Sequence, residues 1–260
     1  MSDKIVIDDL NNVETIEENM IINGKTKNLH QIESKQKEHL NINFINQKIF
    51  NEILKYIDVR SLTFYGCRVE DLSLLSKLEK VEQLTINWNS KATELWDMSN
   101  NKNLKILKLI DLSKLTTLEP ISTLTTLEEL DVSGGMWKAI KLNTLQPLSK
   151  LKQLKKLCLT NISIKDESLE PIAELKTLEL LELSNQFRTE EYAKLSVRLR
   201  NTKCDLFSPY LRLSAEIDDK DIMITGKGKP FLSSKNDINK VKVYEMEFKK
   251  LQNLYSDVEC

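Results

Sequence analysis

The residues able to do chemistry are few and scattered along the chain. Histidine, the side chain best suited to proton transfer near neutrality, occurs twice, as His30 and His39. A serine or cysteine nucleophile needs such a base beside it, and nothing in the spacing brings His30 or His39 to Cys67 or to a serine. His39 falls at an outward strand position, where a solvated histidine is the ordinary reading. Cys67, Cys158, Cys204 and Cys260 lie far apart without a CxxC pair, so they read as reduced thiols and not as zinc ligands. Glu128-Glu129 and Glu190-Glu191 read as solvated faces, not as acid/base pairs. Gly226-Lys227-Gly228-Lys229-Pro230 has the composition of a phosphate-binding loop without its GxxxxGK[ST] spacing. It reads as a turn carrying two lysines. The expectation is a chain with no catalytic residue, no metal and no cofactor.

Composition narrows the classes further. Of 260 residues, 40% are hydrophobic and 30% charged, the balance of a soluble folded protein. With 38 basic and 39 acidic residues there is no global field to attract nucleic acid. The cluster Lys150, Lys152, Lys155 and Lys156 adjoins acidic units and lacks interleaved aromatics. No stretch approaches the roughly 18 apolar residues of a membrane span. Met1 to Leu10 lacks the basic start and apolar run of a secretory signal, and Cys260 stands last, outside any prenylation box. The sequence is expected to be cytoplasmic, without a membrane partner.

The elements that must position any site are set by a repeat. An L-x-x-L-x-L pattern starts at Val59, Val81, Leu104, Leu127, Leu154 and Leu178, at spacings of 22, 23, 23, 27 and 24 residues. A second pattern lies 9, 6 and 3 residues before these starts, as Leu72, Leu75, Leu78; Leu118, Ile121, Leu124; Leu145, Leu148, Leu151; and Leu169, Ile172, Leu175. A period-two pair places alternate side chains on one face of a strand, and leucines every three residues fit a 3₁₀ turn or short helix. Pro120, Pro147 and Pro171 sit near the start of that returning leg, where a missing N–H costs little. Each unit buries too little surface to fold alone, so the units must stack.

The segments Leu118 to Ser133 and Leu145 to Leu154 look like leucine-rich repeats of the internalin-like or SDS22-like class. The resemblance covers roughly residues 37–207. It implies an α/β, right-handed leucine-rich-repeat solenoid, with a curved parallel sheet on the concave face and short helical or 3₁₀ segments on the convex side. The family's asparagine position holds Cys67 and Asn89, but then Leu112, Gly135, Ile162 and Gln186, while Asn161 and Asn185 lie one residue earlier. That departure leaves the loop hydrogen bonding of the later units open.

Outside the repeat, residues 1–36 are expected to cap the N-terminal end, with Ile5-Val6-Ile7 and Met20-Ile21-Ile22 as hairpin strands. Ile45, Ile49, Ile53 and Ile57 have helical spacing. Residues 208–260 read as a strand–turn–helix cap: Ile222 to Thr225 extended, the Gly-Lys turn, then a helix with Ile238, Val241, Tyr244, Phe248, Leu251 and Tyr255 on one face.

The residues between the strand leucines face outward and form the candidate partner site: Tyr65; Thr85 and Asn87, with Trp88 following; Ile106, Lys108 and Ile110; Glu129 and Asp131; Lys156; and Leu180 and Glu182. Lys108 falls beside Asp131 and Glu129 beside Lys156. These are either lateral salt bridges worth under about 1 kcal/mol each or a charged stripe that selects a partner, and both can hold. Trp137, in the glycine-containing insertion Gly134–Ala139, is a candidate loop anchor; Trp96 reads as folded over the core edge. The resemblance implies a non-catalytic protein-binding module, with an inhibitor or immunity-type role as its concrete form. The alternatives are an enzyme or nucleic-acid activity in the C-terminal appendix, or a self-associating scaffold.

Overall fold

Each L-x-L pair becomes a short strand, because burying its two leucines on one face is worth about 1.5–3 kcal/mol per side chain. The computed structural model describes residues 14–16, 19–23 and 38–256, the first two stretches as backbone path only. Its principal sheet comprises β1 (Glu14–Ile16), β2 (Asn19–Asn23), β3 (His39–Asn43), β4 (Ser61–Tyr65), β5 (Gln83–Asn87), β6 (Ile106–Ile110), β7 (Glu129–Ser133), β9 (Lys156–Leu159) and β11 (Leu180–Leu183), in that spatial order. The β1–β2 pair is antiparallel and every later pair is parallel. Two short strands, β8 (Ile140–Leu142) and β10 (Ile162–Ile164), pair in parallel beyond the main sheet. This is the leucine-rich-repeat solenoid.

The register is that of the leucine phase. Leu62, Leu84, Leu107, Leu130, Leu157 and Leu181 form one row, and all are buried. The returning legs are 3₁₀ turns at Ser73–Lys77, Glu119–Thr123, Gln146–Lys150 and Glu170–Glu174, with proline in the first or second position of the last three. The unit between β5 and β6 lacks one. There Asn101 stands where a third leucine is due, and its side chain donates to the carbonyls of Leu75 (3.0 Å) and Leu78 (3.2 Å) while accepting from the Trp96 indole N–H (2.8 Å). Trp96 is thereby core, as its sequence reading held.

At the N-terminal side, Met20-Ile21-Ile22 is a strand on both counts. It makes a hairpin with β1 and also pairs in parallel with β3, so the parallel stack reaches back to residue 19. The expected strand Ile5-Val6-Ile7 lies outside the described residues, as do His30 and Cys260. The isoleucine-spaced helix is shorter than its pattern: α1 (Gln47–Ile53) starts after Asn46, whose side chain accepts from Ile49 N at 3.2 Å as an N-cap.

The last unit departs most from expectation. Its returning leg is a true helix, α2 (Thr189–Arg198). The Glu190-Glu191 pair is therefore not a solvated face: Glu191 is buried and accepts from Leu169 N at 2.6 Å. Glu170 holds the helix through both Lys194 and Arg198. The Tyr192 hydroxyl donates to Ser184 O (2.6 Å) and accepts from Gln186 N and Phe187 N, which fixes the chain where it leaves β11.

The C-terminal appendix is larger than a strand–turn–helix. Strands β12 (Tyr210–Ile217), β13 (Lys220–Ile224) and β14 (Phe231–Leu232) form an antiparallel sheet, followed by α3 (Ile238–Ser256) packed on α2. Of the expected helix face, Phe248 joins the main core, Val241 joins a small second core with Ile222, Ile224 and Leu232, and Ile238 is exposed.

Candidate functional site

Because the inward rows are leucine, the outward rows are fixed by the same register. On the first three described repeat strands they read His39, Asn41, Asn43; Ser61, Thr63, Tyr65; and Gln83, Thr85, Asn87. None of these nine side chains carries a formal charge with His39 neutral. On the later strands they read Ile106, Lys108, Ile110; Glu129, Asp131, Ser133; Lys156, Cys158, Thr160; and Leu180, Glu182, Ser184. The sheet face thus divides into an uncharged polar half and a charged half.

The charged half is wired to itself. Lys108 stands opposite Asp131 in the ladder, but its ammonium reaches diagonally to Glu129 at 2.9 Å, and Lys156 approaches the same carboxylate at 4.0 Å. Asp131 instead accepts from the Ser133 hydroxyl, which in turn accepts from Thr160 at 3.0 Å. The Glu129 hydrogen bond holds the Lys108 pKa above its ordinary value against partial desolvation. Burial, reinforced by the charges of Asp131 and Glu182, pushes the Cys158 thiol up to about 11, although the Ser133 contact opposes the shift. Cys158 is consequently a protonated thiol and a poor nucleophile. Ile106, Ile110 and Leu180 are half-buried between these polar neighbours.

At the ends of the strands a second feature appears. The residue after each of four successive strands adopts a left-handed backbone: Phe44 (φ 54°), Gly66 (φ 63°), Trp88 (φ 60°) and Asp111 (φ 56°). One extra ladder bond accompanies this turn: Phe44 N donates to Tyr65 O, Gly66 N to Asn87 O and Trp88 N to Ile110 O, each at 2.9 Å. Phe44 and Trp88 flank Gly66, and Tyr65 completes the group. Phe44 meets Tyr65 at 5.6 Å between centroids and Trp88 at 6.3 Å, and Tyr65 meets Trp88 at 5.9 Å, all edge-on. These rings remain 59%, 39% and 48% exposed for Phe44, Tyr65 and Trp88. A bulky residue in left-handed backbone is strained, so the fold holds large apolar rings in water at a conformational cost. Tyr65 and Trp88 were legible as site residues; Phe44 was not.

The Gly134–Ala139 insertion is anchored at its base. A side chain on Gly134 would run into the Asn161 carbonyl, and one on Gly135 into the Asp111 carboxyl. Gly134 N donates to Thr160 O (2.9 Å), Gly135 N to Lys138 O (3.1 Å), and the Asn161 side chain to Gly135 O (2.6 Å). From this base Met136 and Trp137 project almost free, 86% and 93% exposed.

The irregular asparagine ladder is resolved by substitution of roles. Leu112 and Ile162 are simply buried core. Asn161 bridges to Gly135 O, Gln186 bridges to Ile162 O, and Asn185 donates to Ile224 O (2.8 Å) and accepts from Gly226 N (2.6 Å). The last of these docks the Gly-Lys turn onto the final repeat. Both lysines of that turn are engaged internally, Lys227 with Glu167 at 2.7 Å and Lys229 over the Tyr244 ring at 5.0 Å. The turn thus flanks the final repeat with both lysines paired. Among the described residues, no three His, Cys, Asp or Glu side chains gather in a metal-binding group, and no helix is long and apolar enough to cross a membrane.

Comparison with known proteins agrees with the fold. Internalin C2 of Listeria monocytogenes superimposes with a TM-score of 0.50 at 17% identity, over 72% of this chain and 80% of its own. A leucine-rich-repeat protein of Leptospira interrogans does so at 0.51 and 22% identity, over 65% of this chain and 48% of its own, so the chain spans about half that protein. No protein-family model and no curated protein sequence matches the chain. At these identities the likeness establishes architecture alone.

Proposed function

We propose that this chain is a non-catalytic binding module that holds a protein partner across the charged half of the sheet face and the Gly134–Ala139 loop. In its concrete form it acts in the cytoplasm as an inhibitor or immunity-type protein that masks the partner. The observation that carries the reading is the Met136–Trp137 tip. Among the described residues almost nothing packs on either side chain, yet two glycines and the Asn161 side chain hold their base in place. Exposed apolar anchors on a rigid base lose little entropy on binding, which is how a few aromatic residues dominate an interface. Beside the tip, the Lys108–Glu129–Lys156 stripe, with Asp131 and Glu182, supplies charge that orients a partner and rejects others. Ile106, Ile110 and Leu180 add apolar area between those charges.

The test is capture of a partner on the immobilised full chain, followed by titration of the identified protein. Trp137→Ala is expected to weaken binding by about tenfold or more, in line with a loss of about 1.4–2 kcal/mol at a central aromatic anchor. Glu129→Lys is expected to weaken it as well and to change its salt dependence. A partner that binds both variants as tightly as the parent chain refutes the reading.

A further inference from the structure

The uncharged half of the sheet face carries a different message from the charged half. His39, Asn41, Asn43, Ser61, Thr63, Tyr65, Gln83, Thr85 and Asn87 form a three-by-three array in register, within a chain whose residues are 30% charged. Strand spacing and pleat give it an extent of about 10 by 13 Å. Among the described residues, no side chain of the array makes a hydrogen bond or an ion pair within the molecule. In the charged half, by contrast, Lys108, Glu129, Asp131 and Ser133 are occupied with one another. The array therefore presents its amide, hydroxyl and imidazole groups outward, each able to donate and accept. Along its edge stand Phe44, Tyr65 and Trp88, held by ladder bonds and by their own edge-on contacts.

We infer that this half is a second binding site, whose ligand is a neutral carbohydrate. A protein partner of the kind the other half selects is oriented by charge, which this half does not supply. An anionic glycan or a phosphate calls for arginine or lysine, and the array has neither. A neutral sugar presents hydroxyls that both donate and accept, together with C–H faces that lie against the electron-rich faces of aromatic rings. Hydroxyl and amide side chains beside exposed rings match both surfaces at once. The rigid left-handed positions of Phe44 and Trp88 mean that little ordering remains to be done on binding.

The experiment applies the fluorescently labelled full chain to a printed array of neutral oligosaccharides, of hexose and N-acetylhexosamine types, alongside sialylated, sulfated and uronic-acid ones. The best ligand is then titrated by calorimetry. Retention on neutral sugars is expected. Trp88→Gly, which suits the left-handed backbone, is expected to weaken that binding by about tenfold or more. Thr85→Glu, a single outward charge, is expected to do the same, and Trp137→Ala to leave it unchanged. The inference is overturned if no neutral sugar is retained, if only acidic ones are, or if folded Trp88→Gly and Thr85→Glu variants bind as the parent does. Loss of the protein partner in Trp137→Ala is a separate readout, so either site can fail without the other.

Discussion

Gly66 offers the most direct check on how the aromatic edge is built. At φ 63°, any L-residue costs about 1–2 kcal/mol. A Cβ there would also sit 2.6 Å from two carbons of the Phe44 ring and 3.2 Å from a Trp88 ring carbon. Because Phe44 is mostly exposed, its ring can swing outward, but it then forfeits its edge-on contacts with Tyr65 and Trp88, worth about 0.5–1.5 kcal/mol each. Gly66→Ala is therefore expected to cost about 2–5 kcal/mol in total. In a Phe44→Ala background the Phe44 clash and the lost contacts are already gone, and the same substitution should cost little beyond the backbone share of about 1–2 kcal/mol, the 3.2 Å approach to Trp88 being relieved by a small shift of that exposed ring. Urea unfolding of the four chains, followed by far-ultraviolet circular dichroism with the slope checked for constancy, measures the difference as a coupling energy. Equal costs of Gly66→Ala in the two backgrounds refute the argument that the glycine is there to seat the ring.

Other outcomes follow from the C-terminal half. Burial raises the Glu170 pKa, but Lys194 and Arg198 outweigh it and hold the carboxyl below its ordinary value. A group depressed in the folded state stabilises above its unfolded pKa and loses that contribution as pH falls through the folded value. Glu170→Gln should accordingly flatten the acid limb of the stability profile below about pH 4.5, and a variant with the parent's slope would refute the clamp. Asn185→Ala removes the two bonds to Ile224 and Gly226. It should destabilise by about 1–3 kcal/mol and speed amide exchange across residues 220–232; unchanged exchange there would refute the docking role. Burial pushes the Cys158 and Cys204 thiols to about 11. Iodoacetamide at mildly alkaline pH should therefore label both slowly in the native chain and fast in urea, as peptide mapping would show, whereas fast native labelling would contradict the burial.

Much of this molecule is written in its leucines. The phased pattern named the strands, their face and their register, because a one-residue slip would invert every side chain. The charged pairing was legible as neighbours but not as contacts: Lys108 pairs diagonally with Glu129, while Asp131 accepts from a serine hydroxyl, and which neighbour a long side chain reaches depends on rotamers that spacing does not set. Phe44 escaped because its unit opens outside the clearest repeats, although Phe44, Gly66 and Trp88 lie 22 residues apart and share one column. Helix α2 was illegible for another reason. Its buried Glu191 reads as surface until the unpaired Leu169 N–H that it satisfies is known, and that contact depends on tertiary packing. Strand β12 had no phase to follow, since it belongs to a different sheet.

The docking of the Gly-Lys turn on the final repeat has a consequence for assembly. A stack of like units has no inherent reason to stop, and its bare last layer is a template on which a neighbouring molecule's first layer can lie. Here Asn185 and Phe187, the loop groups that another repeat would engage, are taken by Gly226 and Lys227 of the same chain. Growth is closed off at that loop from within. At this end the number of layers can therefore change only inward of the turn, where a duplicated unit would lengthen the face by one strand spacing of about 4.8 Å and leave the terminating turn in place.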